Sequence, residues 1–207
     1  MNQPLIFDLD GTLWDTSEVC AEAWNHAMAG RGFRTLTTSD LGGIMGLTRE
    51  EVRLRFFAEL DADEGRRLLQ LCIDEEIRFL RRRPGTLYPG VADGLKRLAE
   101  RHPLYLVSNC ETEYLDLFFE GTGLGPQFLD SECHGRTNLG KAKNVGLVLE
   151  RNRLTQGAYV GDTLGDQKAA EANRLEFWFA AYGFGTCTHA DRSFPDFESL
   201  VSFCFLG

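Results

Sequence analysis

The chain has 207 residues, 43% of them hydrophobic and 26% charged, with no Pro- or Ser-rich tract and no internal repeat. That profile excludes disorder and solenoid architectures, and leaves room for one sizeable core or a core carrying a smaller insertion. Lys and Arg number 22 against 31 Asp and Glu, a formal charge of −9 that would repel a phosphate backbone and argues against a nucleic-acid partner.

No run of 18 apolar residues and no basic-then-apolar leader is present, so neither a membrane span nor a signal peptide is expected. Six cysteines (Cys20, Cys72, Cys110, Cys133, Cys187 and Cys204) are scattered singly and read as reduced thiols of a cytoplasmic protein.

Residues 4 to 8, "PLIFD", form a short apolar run closed by an acid, which predicts a buried parallel strand presenting Asp8 at its carboxyl end. A second acid, Asp10, follows in the turn "DLDGT". Residues 17–31, 48–60 and 64–83 then read as helices with no strand among them, and Leu69, Ile73, Ile77 and Leu80 give the last an apolar stripe. Pro and Gly in "PGTLYPG", residues 84–90, supply the return crossing. An all-helical cap over residues 15–88 is therefore expected, with the core built from residues 1–14 and 89–207.

In that core, "PLYLVS" (103–108), "GAYVGD" (157–162) and "EFWFAA" (176–181) repeat the strand signature. Helical patterns separate them, on Val91, Leu95 and Leu98, on Tyr114 to Phe119, and on Val145 to Leu149. Strand and helix in alternation predict an α/β fold with a Rossmann-like parallel sheet, whose ligands bind beyond the carboxyl ends of the strands. Asp8, Ser108 and Asp162 are expected together there.

A carboxylate attacks phosphorus only when charge repulsion is neutralised, so an Asp nucleophile implies a divalent cation or a fixed positive group. Hard cations take oxygen ligands, and "VGDTLGD", residues 160–166, offers Asp162 and Asp166 at a strand end. Asp8 and Asp162 on neighbouring strands would share one Mg²⁺. Asp8 would attack the phosphorus, while Asp10 would protonate the leaving alcohol and then deprotonate water.

Four segments, "FDLDGTLWDT", "YLVSN", "LGKAKN" and "VGDTLGD", resemble the ordered motifs of the haloacid dehalogenase superfamily, in the phosphoglycolate phosphatase-like or β-phosphoglucomutase-like group with a helical cap. The resemblance spans nearly the whole chain, and the helical insertion falls where that group has its cap. It implies that Asp8 is the phosphorylated nucleophile and that Asp10 is the general acid/base, whose backbone carbonyl also meets Mg²⁺. Ser108, with Asn109 beside it, resembles the phosphoryl-binding hydroxyl, and Lys141 the lysine that neutralises nucleophile and phosphate. Asp162 resembles the direct metal ligand, and Asp166 either a further ligand or only a cap and a partner for Lys141.

Asp10 stands where members that cleave carbon–halogen or carbon–phosphorus bonds lack an aspartate, which argues against both chemistries. Thr12 looks more like the phosphatases than the sugar-phosphate mutases. The third motif departs from the Lys-Pro of many relatives and leaves Lys143 as an alternative to Lys141.

Arg49, in "GGIMGLTREE", resembles a substrate-facing cap residue, yet Thr48 and Glu51 also form a capping box that would leave it solvated. "RRR" at 81–83 suits a helix carboxyl end. Trp14 is either core packing or a lining of the cap-to-core cleft, and His134 and Arg136 stay open as neighbours of the site. Cys187 and His189 lack two further ligands for zinc.

The expected function is a Mg²⁺-dependent phosphatase acting on a small phosphorylated metabolite. A phosphomutase or phosphotransferase of the same fold, or a non-catalytic phosphate-binding regulatory protein, are the alternatives. Monomer and homodimer are both open.

Overall fold

Strands that are apolar along their whole length need cover on both faces, and the chain supplies it. In the computed structural model, which describes residues 3–206, β1 (Leu5–Phe7) is flanked by β4 (Leu104–Ser108) and β6 (Ala158–Gly161). With β5 (Asp130–Cys133), β7 (Glu176–Ala180) and β8 (Arg192–Phe194) these make a six-stranded sheet, ordered β5-β4-β1-β6-β7-β8 and parallel at every pairing.

Side chains alternate between the faces. Leu5, Phe7, Leu104, Leu106, Ala158 and Val160 pack on one side under α5 (Val91–Ala99), α6 (Thr112–Thr122) and α10 (Phe197–Leu206). Ile6, Tyr105, Val107 and Tyr159 pack on the other under α8 (Lys141–Asn152) and α9 (Leu164–Ala172).

The helical stretch comprises α1 (Ser17–Met28), α2 (Thr38–Gly42), α3 (Arg49–Phe57) and α4 (Ala62–Leu80). Its members bury an apolar cluster of their own, including Trp24, Leu41, Val52, Phe57 and Leu69. Capping boxes at Thr37 with Asp40 and at Thr48 with Glu51 start α2 and α3, and Asp61 caps α4. The chain enters and leaves this layer through an antiparallel ribbon of β2 (Trp14–Asp15) and β3 (Thr86–Leu87). Ile77 and Leu80 join the cluster beneath the sheet, so α4 packs on the core as well as on α1.

Two strands of the sheet lie outside the sequence expectation. β5 reads "DSEC" and β8 reads "RSF", and neither has the apolar run that marks a buried strand. Both are edge strands, covered less completely than the centre. The short helices α2 and α7 (His134–Thr137), together with α9 and α10, are likewise additional to the expected set.

Candidate active site

The register assembles the site. Phe7 stands level with Leu106 on β4 and with Val160 on β6, so Asp8, one residue further, emerges between Ser108 and Asp162. Its amide donates to the Val160 carbonyl at 2.8 Å. The chain then turns sharply: Leu13 N donates to Leu9 O at 2.9 Å, and Gly11 takes φ +80°. A Cβ on Gly11 would lie 2.3 Å from Asp162 Oδ2, and one on Gly183 would lie 2.4 Å from Asp162 Cβ. Both glycines let backbone close onto this carboxylate.

Lys141, the first residue of α8, reaches back to the strand ends. Its Nζ lies 2.8 Å from Asp8 Oδ1 and 2.5 Å from Asp166 Oδ1, and all three side chains are buried. Lys143 is exposed, so the geometry places Lys141 and not Lys143 against the nucleophile candidate. Asp166 both meets Lys141 and closes the capping box of α9, its Oδ2 accepting from Thr163 N and Oγ1. Asp162 Oδ2 accepts from the amides of Phe184 and Gly185 at 2.7 and 3.2 Å.

One ammonium thus pairs with two of three buried acids, Asp8, Asp162 and Asp166, whose nearest oxygens all lie within 4.8 Å of one another. Burial raises the Asp8 carboxyl well above its ordinary range, helped by Asp166 and resisted by Lys141. Burial and the charge of Asp166 likewise push Asp162 up to about 7. Burial alone would lower the Lys141 ammonium, but Asp166 and Asp8 more than reverse it and keep the charge in place.

Asp8 Oδ2 and Asp162 Oδ1 are buried with no hydrogen-bond partner. Unsatisfied carboxylate oxygens in an all-oxygen cluster fit a hard divalent cation.

Asp10 has a different environment. Its Oδ1 accepts from Trp14 Nε1 at 3.1 Å, from Thr16 Oγ1 at 3.4 Å and from the Tyr114 hydroxyl. Burial raises its carboxyl to about 6, against the pull of those hydrogen bonds and of Lys141. A carboxyl poised there can give and take a proton near neutral pH.

Asp10, Ser108 and Asn109 face a cavity of about 110 Å³ between the core and the helical layer. Asn109 Nδ2 donates to the Gly46 carbonyl at 2.8 Å, tying the two layers together beside the site. Arg49 also lines the cavity, with Nε 2.7 Å from Glu111 Oε1. It starts α3 behind the expected capping box but is not merely solvated. Thr12 is fully buried in the turn, away from the cavity lining, and its hydroxyl has no partner.

Trp14 does not line the cleft. It is wholly buried, edge-on to Tyr114 and Phe118, and its indole holds Asp10. His134 bonds its own loop at Leu139 O, and Arg136 pairs with Asp116, so neither joins the acids. Arg81 and Arg83 pair across to Glu113 and Glu22 respectively.

A family model described as haloacid dehalogenase-like hydrolase matches residues 5–180. The chain belongs to that family. This hydrolase is 27% identical over 178 residues to a phosphoglycolate phosphatase of Agrobacterium fabrum, covering 80% of this chain and 74% of the relative. It is also 27% identical over 208 residues to a phosphoglycolate phosphatase of Aliivibrio fischeri, covering 94% and 91%. Among solved structures, a haloacid dehalogenase-like family hydrolase from Streptococcus pneumoniae superposes with a TM-score of 0.83 at 21% identity, covering 97% of each chain. That likeness extends to the fold.

Two polar residues of the hydrolase escaped the sequence reading. Tyr114 sits in the first turn of α6, where nothing local marks it as a partner of Asp10. Glu76 lines the cavity from α4, and its signal was present: it falls three residues after Ile73 and four before Leu80, an acid inside the apolar stripe.

Proposed function

We propose that this hydrolase is a Mg²⁺-dependent phosphatase that cleaves a small phosphorylated metabolite through an aspartyl-phosphate on Asp8. The observation that carries the reading is the Lys141 ammonium clamped between Asp8 and Asp166, with orphaned oxygens of Asp8 and Asp162 beside it. The relatives named phosphoglycolate phosphatase support phosphate-ester hydrolysis as the reaction class.

Asp8, Asp162 and Asp166 would hold the cation, with the Asp10 carbonyl as the further ligand that the resemblance implies. When bound, Mg²⁺ supplies positive charge that offsets repulsion between carboxylate and phosphoryl group. Asp8 attacks phosphorus as the bond to the leaving oxygen breaks, and Asp10 in its acid form protonates that oxygen. Asp10, now a carboxylate, then takes a proton from the water that attacks phosphorus, which frees Asp8 and releases phosphate. Lys141 opposes protonation of Asp8 before the attack and holds the side chain in place.

Ser108 and Asn109, at the cavity wall, would bind the phosphoryl oxygens, whereas Thr12, buried away from it, would not. The small cavity under the helical layer favours a small substrate.

The test is inorganic phosphate release from a panel of phosphorylated metabolites, with Mg²⁺ and with EDTA, comparing the native chain with Asp8→Asn. Mg²⁺-dependent release that Asp8→Asn abolishes supports the reading. Release that survives Asp8→Asn, or transfer of phosphate to a second hydroxyl without free phosphate, overturns it.

A further inference from the structure

The cavity contains an acid that the proposed reaction does not use. Glu76 enters it from α4, and Trp24 Nε1 donates to its Oε2 at 2.8 Å. Burial pushes its carboxyl up to about 7, against the Trp24 hydrogen bond and with the help of Asp10. Around it the wall is apolar, formed by Ile44, Met45, Leu47, Ile73 and Ile77. An acid held in such a place costs stability unless something it binds compensates.

The remaining charges decide what that is. Asp10, Glu76 and Glu111 are the acids of the lining, and Arg49 is its one cation among the described residues. Arg49 is already engaged: Nε lies 2.7 Å from Glu111 and a terminal nitrogen donates to Gln70 at 2.8 Å. A leaving alcohol that carries a carboxylate would enter beside Glu76 and Glu111 and find its only cation taken. One that carries a hydrogen-bond donor would find Glu76 as an acceptor, strengthened by the apolar wall.

We propose that Glu76 is a specificity-determining residue that selects phosphate monoesters whose leaving alcohol bears a hydrogen-bond donor, an ammonium above a hydroxyl, over those bearing a carboxylate. The proposal rests on the phosphatase reading. It separates this chain from the substrate printed in its relatives' names.

The experiment compares kcat/KM for phosphate release from four esters of matched size: 2-aminoethyl phosphate, 2-hydroxyethyl phosphate, ethyl phosphate and phosphoglycolate. Acetyl phosphate serves as a chemically activated control. The native enzyme should prefer 2-aminoethyl phosphate to phosphoglycolate by about tenfold or more, with the hydroxyl ester between them. Glu76→Gln keeps an acceptor for Trp24 and should compress that ratio about tenfold, chiefly through KM. Glu76→Ala should compress it at least as far.

A purely structural role for Glu76 would slow all four esters together and leave their ratios unchanged, which overturns the proposal. So does phosphoglycolate as the preferred ester of the native enzyme. Release from acetyl phosphate in either case shows that the phosphatase reading survives, whereas no release from any compound sinks both.

Discussion

Lys141 and Asp8 face each other across 2.8 Å at the carboxyl edge of the sheet, the first from the opening turn of α8 and the second from the end of β1. The same ammonium also holds Asp166, so one side chain neutralises part of a buried triad that would otherwise repel itself. Removing it leaves the acids uncompensated. Lys141→Ala should cost about 3 kcal/mol of stability in EDTA and reduce phosphate release by about 10² or more. Lys143→Ala, at an exposed position, should stay within about 0.5 kcal/mol and keep its activity. Urea melts and steady-state rates on both variants check this, and equal effects would remove the assignment.

The acid triad should also respond to the proposed cation. Titrating Mg²⁺ into the native chain should raise the melting temperature, by the equivalent of about 2.7 kcal/mol at a hundredfold excess over Kd. Asp162→Asn removes an orphaned carboxylate oxygen and one charge. Without metal it should melt no lower than native, and it should lose most of the Mg²⁺ shift. Thermal melts with Mg²⁺ and EDTA decide, and an unchanged Mg²⁺ shift in Asp162→Asn would place the cation elsewhere.

Asp10 sets a pH limb. Its carboxyl is raised to about 6, so it is a base above that pH and an acid below it. In the proposed reaction, breakdown of an aspartyl-phosphate needs the base, and that step should slow as pH falls through about 6. The Tyr114 hydroxyl stabilises the carboxylate by donating to it. Tyr114→Phe should therefore move the limb to higher pH, by up to about one unit, and lower kcat at pH 6 more than at pH 8. A kcat profile whose limb stays put would leave Tyr114 without a role in proton transfer.

Glu76 links pH to stability with the opposite sign from a salt-bridged acid. Its carboxyl rises from the ordinary 4.5 to about 7 in the fold. Between those values the native chain holds a proton that the unfolded chain has released, so stability falls as pH climbs from about 4.5 to about 7. Glu76→Gln removes this penalty. The variant should gain several degrees in melting temperature at pH 8 and little at pH 5, measured without substrate. A gain equal at both pH values would mean that its charge carries no penalty in the fold.

Some of the hydrolase was legible because its physics is local. The central strands announce themselves as short apolar runs, since a strand covered on both faces has no polar side to show. The helical layer follows from periodicity, and the capping box of α3 from Thr48 and Glu51 alone. β5 and β8 stayed hidden because edge strands pair through backbone and carry polar side chains, so "DSEC" and "RSF" look like turns.

The site divides the same way. By itself the sequence determined which acids and which lysines were available and in what order, because motif spacing follows from strand, turn and helix. Only the tertiary structure set the Lys141 ammonium against Asp8 and left Lys143 exposed on α8. It also selected core packing for Trp14, one of the two readings open to it, as the support of Asp10, and brought in Tyr114 and Glu76 from helices far along the chain. Those four outcomes depend on which faces pack together, and packing is a property of the folded whole rather than of any single stretch of residues.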